Sequence, residues 1–159
     1  MTARRIDYYD DPNAPVATSV VPSANVVVVD DSGALLLIHR TDNDNWALPG
    51  GAMDLGESLV DTAVRETREE TGIHCEVTGL VGIYTDPKHV ILYTSDGEVR
   101  QEFSVVFTAR PISGTPTPSS ESREVEWVAP ARIGDLTMDR SMRVRVEHHL
   151  SGRRTPHLG

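Results

Sequence analysis

The chain is 159 residues long, 38% hydrophobic and 25% charged, with a formal net charge of −9. That length suits one domain with a sizeable core, no apolar run approaches a membrane span, and Met1–Asp11 lacks the apolar centre of a signal peptide. The acidic balance argues against binding nucleic-acid polymers, which needs clustered cations, but leaves room for a small phosphate substrate if a bound cation reverses the local field.

Cys75 is the only cysteine, which excludes an internal disulfide and fits a reducing, cytoplasmic setting. Its simplest role is that of a small buried thiol. Lys88 is the only lysine among fifteen basic residues, a bias that reads as codon usage rather than chemistry.

In chain order, residues 1–15 are polar and read as a flexible tail or an edge segment. Val16–Val21 and Asn25–Asp30 are valine-rich and predict strands. The turn Asp31-Ser-Gly33 and the run Ala34–Arg40 then predict a hairpin. Thr41–Asn45 is a polar loop leading into Trp46-Ala-Leu-Pro-Gly-Gly51. Ser58-Leu-Val-Asp61 has the form of a capping box and Gly72 that of a helix terminator, so a helix is expected over Leu59–Thr71. His74–Tyr84, His89–Thr94 and Val99–Arg110 predict strands, and Pro111–Ser122 a flexible loop. Glu124–Val128 predicts a short strand and Asp139–Leu150 a closing helix. His148 and His149 are expected at the surface, and Trp46 and Trp127 in the core. The domain spans residues 16–150, with a second flexible tail over 151–159. Strands interleaved with two helices predict an α/β class, a mixed sheet covered by helices. The valine-rich N-terminal strand is a candidate for exchange in a homodimer.

At 100° per residue, Leu59, Val60, Ala63, Val64, Thr67 and Thr71 make the inward stripe of the helix. Glu66, Glu69 and Glu70 crowd the edge of that stripe, where like charges repel. A solvated acidic face with an Arg65–Glu69 pair is the simpler account of such a helix. Here, however, the acids flank the buried side, and a Gly/Pro-rich loop brings backbone carbonyls to the same point. Carboxylates plus carbonyl oxygens form a hard-oxygen site suited to Mg²⁺ or Mn²⁺, which would relieve the repulsion.

Gly51, Glu57, Arg65, Glu66, Glu69, Glu70, Gly72 and Ile73 stand at the spacing Gly-x5-Glu-x7-Arg-Glu-U-x-Glu-Glu-x-Gly-U, where U is a bulky aliphatic residue. This stretch resembles the box of the Nudix hydrolase family, of the MutT-like kind. Thr67 departs from the first U position, and its hydroxyl is expected to bond back to the Ala63 carbonyl. The resemblance implies an α/β/α sandwich with a mixed β-sheet and hydrolysis of a nucleoside diphosphate linked to another moiety. It also implies that Glu66, Glu69, Glu70 and the Gly50 carbonyl hold Mg²⁺ or Mn²⁺, with Glu57 and Arg65 orienting the ligands. Three residues are candidates for the base that takes a proton from water: Glu66 beside the metal, Glu121 in the Pro/Ser-rich loop, and Glu102 on a strand. Pro87, fifteen residues after Gly72, slightly favours ADP-ribose or a nucleotide sugar over a nucleoside triphosphate, oxidised or not. A non-catalytic nucleotide sensor on the same fold is the alternative, but it would have lost box carboxylates, and all are present.

Overall fold

The computed structural model describes residues 4–159. Strand β3 (Ser23–Val28) shows how the layers arise, because successive side chains of a strand point to opposite faces. Ala24, Val26 and Val28 join one apolar cluster with Ala63, Ile73 and Cys75, whereas Val27 joins another with Leu37, Met142 and Val146. Helix α1 (Leu59–Thr71) therefore covers one face of the sheet, and helix α3 (Arg140–Leu150) covers the other. The result is an α/β sandwich.

β3 lies in a five-stranded mixed sheet ordered β12-β7-β10-β3-β6, formed with β6 (Gly50–Ala52), β7 (His74–Tyr84), β10 (Ser104–Ser113) and β12 (His157–Leu158). β10 runs parallel to β3 and antiparallel to β7. A second sheet is ordered β1-β8-β9-β2, from β1 (Arg5–Tyr9), β2 (Ser19–Val20), β8 (His89–Tyr93) and β9 (Val99–Gln101). A third holds β11 (Ser122–Val128), β4 (Leu35–Arg40) and β5 (Trp46–Ala47). A short helix α2 (Pro130–Ile133) links the last sheet to α3.

Several expectations need correction. β3 and β4 form no hairpin: after the turn at Asp30, the chain changes sheet, and a single bridge from Val29 to Leu35 joins the two runs. The single strand expected over Val99–Arg110 breaks at Glu102–Phe103 for the same reason, since β9 pairs with β8 while β10 pairs with β3 and β7. The tail expected at residues 1–15 contains β1, which pairs along its length with β8 and is fastened by side chains. Arg5 donates to both oxygens of Asp7 at 2.8 and 2.9 Å, and His89 Nε2 lies 2.7 Å from Asp7. The tail expected at 151–159 contains β12, which runs parallel to β7 opposite Gly82 and Ile83. There His157 stacks on Tyr84 and His148, so His148 is an anchor for the C-terminal segment rather than a surface residue. Of the valine-rich run Val16–Val21, only Ser19–Val20 forms a strand, and it pairs with β9 of its own chain.

α1 follows its expected bounds. Ser58 and Asp61 exchange both bonds of the capping box, and Gly72 closes the helix in the left-handed conformation at φ 77°. Its inward face differs slightly from the expected stripe. Thr62, Ala63, Thr67 and Thr71 are buried, while Val60 is 44% exposed. Among the described residues the buried Thr67 hydroxyl has no hydrogen-bond partner, the Ala63 carbonyl included. Among the described residues no helix is long and apolar enough to cross a membrane.

Candidate active site

Three segments meet at one end of α1. The helix supplies Glu66 and Glu70, one turn apart and so on the same side. β6 supplies Gly50 and Gly51, whose missing side chains are a steric requirement. A Cβ on Gly51 would lie 2.6 Å from the Glu66 carboxylate, and one on Gly50 would lie 2.1 Å from the Ala24 carbonyl oxygen. The loop between β10 and β11 supplies Glu121. Carboxylate oxygens of Glu66, Glu70 and Glu121 all lie within 4.8 Å of one another.

The loop carrying Glu121 is not a free flap. The Ser122 hydroxyl donates to the Glu70 carbonyl at 2.8 Å, Thr117 N–H to the Thr71 carbonyl at 2.8 Å, and Thr41 N–H to the Glu121 carbonyl at 3.1 Å. The C-terminal turn of α1 thus holds the loop, and Glu121 is placed against the helix carboxylates in advance.

Glu69 is not brought into this cluster. It is exposed and turned to Arg65, whose Nη1 it meets at 3.2 Å. Arg65 makes its shorter bonds elsewhere: to Glu57 at 2.6 and 2.9 Å, and to Glu66 at 2.8 Å. It also donates to the Ala52 carbonyl at 3.2 Å. One guanidinium therefore hydrogen-bonds three acids and the β6 backbone, with a fourth acid, Asp54, 3.4 Å away, which fixes the Glu66 carboxylate beside Gly51. Glu57 is anchored further by the Asp54 N–H and the Thr62 hydroxyl, and the Arg65 guanidinium with these donors holds its carboxyl down at about 2.

Glu70 is only 3% exposed. Burial, then the Glu66 and Glu121 charges, push its carboxyl well above the usual carboxylate range, against the pull of Arg40. Burial raises Glu66 as well. Such a cluster favours taking up positive charge, whether a proton or a cation. Its donors are carboxylate oxygens, and the Gly50 backbone adjoins them, its N–H 3.4 Å from Glu70. A hard divalent cation fits this set.

Glu102 is placed elsewhere. It is 7% exposed and held by Arg145 Nη2 at 3.2 Å and by His89 Nδ1 at 3.5 Å, so its carboxylate is committed to a buried ion network. Glu66 and Glu121 open onto a cavity of about 220 Å³ that Glu102 also lines. Residues that sequence reasoning missed complete its wall, among them Arg5, Asn25, Arg40, Tyr93, Arg100 and Arg145. Arg5, Arg40 and Arg100 are each neutralised by a carboxylate two residues away: Asp7, Asp42 and Glu98. The alternation of basic and acidic residues at that spacing, on β1, at the end of β4 and at the start of β9, was the available signal. Arg100 also stacks over the Tyr93 ring at 4.6 Å. Pro87 sits in the exposed turn before β8 and does not line this cavity. Trp46 is half-buried and stacks on His39, and Trp127 is half-buried against the cluster below α1.

Residues 20–148 match the model of the NUDIX domain. A MutT-like protein of Streptomyces ambofaciens is 39% identical over 109 residues, covering 69% of this chain and 64% of that protein. The chain thus matches somewhat less than two thirds of that relative's length. An ADP-ribose pyrophosphatase of Methanocaldococcus jannaschii is 30% identical over 120 residues, covering 70% of this chain and 64% of the relative. Among solved structures, a NUDIX hydrolase from Nitrosomonas europaea superposes with a TM-score of 0.70 at 24% identity, covering 91% of this chain and 80% of that one.

Proposed function

Because the chain belongs to the Nudix family, we propose that it hydrolyses a nucleoside diphosphate linked to a second moiety, with Mg²⁺ or Mn²⁺ held by its carboxylate cluster. The convergence of Glu66, Glu70 and Glu121 beside an arginine-lined cavity carries this reading. Glu66, Glu70 and the Gly50 backbone hold the cation, and Arg65 keeps Glu66 in place through its bonds to Glu57 and Ala52. Glu69 serves in this arrangement by engaging Arg65. When bound, the cation polarises phosphoryl oxygens and lowers the pKa of a coordinated water.

Glu121 is the most exposed of the three clustered acids and already faces the other two, so it is the base that accepts the water proton. The water oxygen bonds to phosphorus, the bond from phosphorus to the bridging oxygen breaks, and the departing phosphate leaves with that oxygen. Glu102, bound to Arg145 and His89, shapes the cavity wall instead. The relative named for ADP-ribose keeps that compound on the substrate panel, alongside nucleotide sugars and nucleoside triphosphates, oxidised ones included.

The test measures phosphate-bearing products from that panel with Mg²⁺, with Mn²⁺ and with excess chelator. Metal-dependent cleavage of at least one compound is expected, and full turnover in chelator would overturn the reading. Glu121→Gln should lower kcat on the order of 10²–10⁴-fold while leaving metal affinity near the parent value. If Glu121→Gln keeps its kcat while Glu66→Gln binds metal without turnover, the base lies on α1.

A further inference from the structure

Asn25 is an amide in the middle of a valine strand, and its orientation is fixed by its neighbours. Arg145 Nη1 donates to Asn25 Oδ1 at 2.6 Å, and the Ser104 hydroxyl donates to the same oxygen at 3.0 Å. A guanidinium cannot accept a hydrogen bond, so the oxygen of the amide must face Arg145 and the nitrogen must face away. Arg145 is 2% exposed and is held from its other nitrogen by Glu102. The amide is therefore clamped.

Its nitrogen faces the site. Asn25 lies opposite Gly50 in the pairing of β3 with β6, and a Cβ on Gly50 would fall 2.4 Å from Asn25 Nδ2. Gly50 N–H is next to Glu70, and Glu66 lies against Gly51. Among the described residues Nδ2 donates to no protein group. Asn25, Gly50, Gly51, Glu66 and Glu121 line the same cavity. A donor so rigidly held, and left without a protein acceptor, is arranged for an acceptor that arrives with a ligand.

We propose that the Asn25 side-chain amide is a substrate-binding donor that grips a phosphoryl oxygen of the diphosphate beside the carboxylate cluster, with Arg145 and Ser104 fixing its direction. This rests on the diphosphate reading of the site. The acceptor is a phosphoryl oxygen rather than a base edge, because a group held by the clustered carboxylates through a cation must pass next to Gly50. A neutral amide adds a hydrogen bond there without competing with the cation for the carboxylates.

The deciding variant is Asn25→Asp. It keeps the shape and the acceptor for Arg145 and Ser104 but replaces the inward donor with an anionic oxygen. The probe is methylenediphosphonate with Mg²⁺, whose P–C–P bridge resists hydrolysis, titrated calorimetrically into parent and variant. The expected result is a Kd raised on the order of 10- to 100-fold at an unchanged or higher Tm, with a parallel rise in KM larger than any fall in kcat. Asn25→Ala, which also strips Arg145 of its acceptor, should weaken binding and lower Tm together. A variant Asn25→Asp that binds the probe within twofold of the parent overturns the proposal, as does a parent protein that does not bind it. Weaker binding in Asn25→Asp without turnover of any panel compound by the parent would sustain this inference and sink the hydrolase reading. Metal-dependent turnover that Asn25→Asp leaves untouched would do the reverse.

Discussion

Burial and the charges of Glu66 and Glu121 make Glu70 costly to ionise in the metal-free protein, and that cost separates its structural from its functional role. Glu70→Gln keeps the shape and removes the group that is costly to ionise, so the metal-free variant should melt at or above the parent temperature. The rise in Tm that Mg²⁺ gives the parent should shrink or vanish in the variant, because a ligand charge is gone. Thermal melts without metal and with metal at on the order of 100 times the parent Kd read both effects. Gly51→Ala acts from the facing side: the new Cβ would have to displace the Glu66 carboxylate it meets at 2.6 Å. Its kcat/KM should fall more than tenfold, about the loss of one well-placed charged contact, while the far-ultraviolet spectrum stays that of the parent.

Much of this site was legible in the residues of the box. The i, i+4 relation of Glu66 and Glu70 follows from helical period alone, and the capping residues place both ends of α1. What the box does not encode is how Arg65 divides its donors. Glu57 and Glu66 take the shortest bonds, and Glu69 is left on the exposed side of the guanidinium. Asn25 was hidden for a related reason: an amide in a valine run gains meaning only from Arg145, 120 residues further along the chain.

At the scale of elements, the least legible parts were those whose partners are remote. β1 has ordinary polar composition, and nothing local says that it will pair with β8 and deliver Arg5 to the cavity. The breaks after β3 and at Glu102–Phe103 were hidden likewise, since a change of sheet leaves no mark in propensity. Asp7 gives β1 a measurable signature. Burial pushes its carboxyl upward, but the bonds from His89 and Arg5 outweigh this and hold it well below the ordinary range. A group depressed in the folded state stabilises fully above its unfolded value of about 3.9, and that contribution fades as pH falls through this value towards the folded one. The parent should therefore lose on the order of 2 kcal/mol of stability between pH 5 and roughly pH 2 from this group. Asp7→Asn should be less stable at neutral pH and lose less on acidification. Urea midpoints at pH 7 and near pH 3 decide it; equal acid losses in both proteins would refute the assignment.

At the scale of the whole molecule, the family match over residues 20–148 and the working structure do not have the same limits. β1 and β12 both lie outside it, yet β1 supplies Arg5 to the cavity wall and β12 extends the central sheet. The net charge of −9 is likewise unevenly used, because Arg5, Arg40, Arg100 and Arg145 collect around the cavity, each with its own acid, beside the cluster of Glu66, Glu70 and Glu121.

Cys75, the lone thiol, lies 2% exposed in the apolar layer beneath α1, next to Ala63 and Ile73. Burial also raises its pKa, so a thiol reagent reaches it only when α1 lifts from the sheet. The rate at which the reagent consumes that sulfur is then a clock for opening of the very helix that carries Glu66 and Glu70. Where that opening breaks up the carboxylate cluster, cation binding slows the clock by the factor 1 + [L]/Kd, about 100-fold at 100 times Kd. A labelling rate indifferent to Mg²⁺ and Mn²⁺ would mean that the helix opens without disturbing the carboxylates, or that they hold no cation. The sulfur can thus report occupancy of the carboxylates before any substrate has been found.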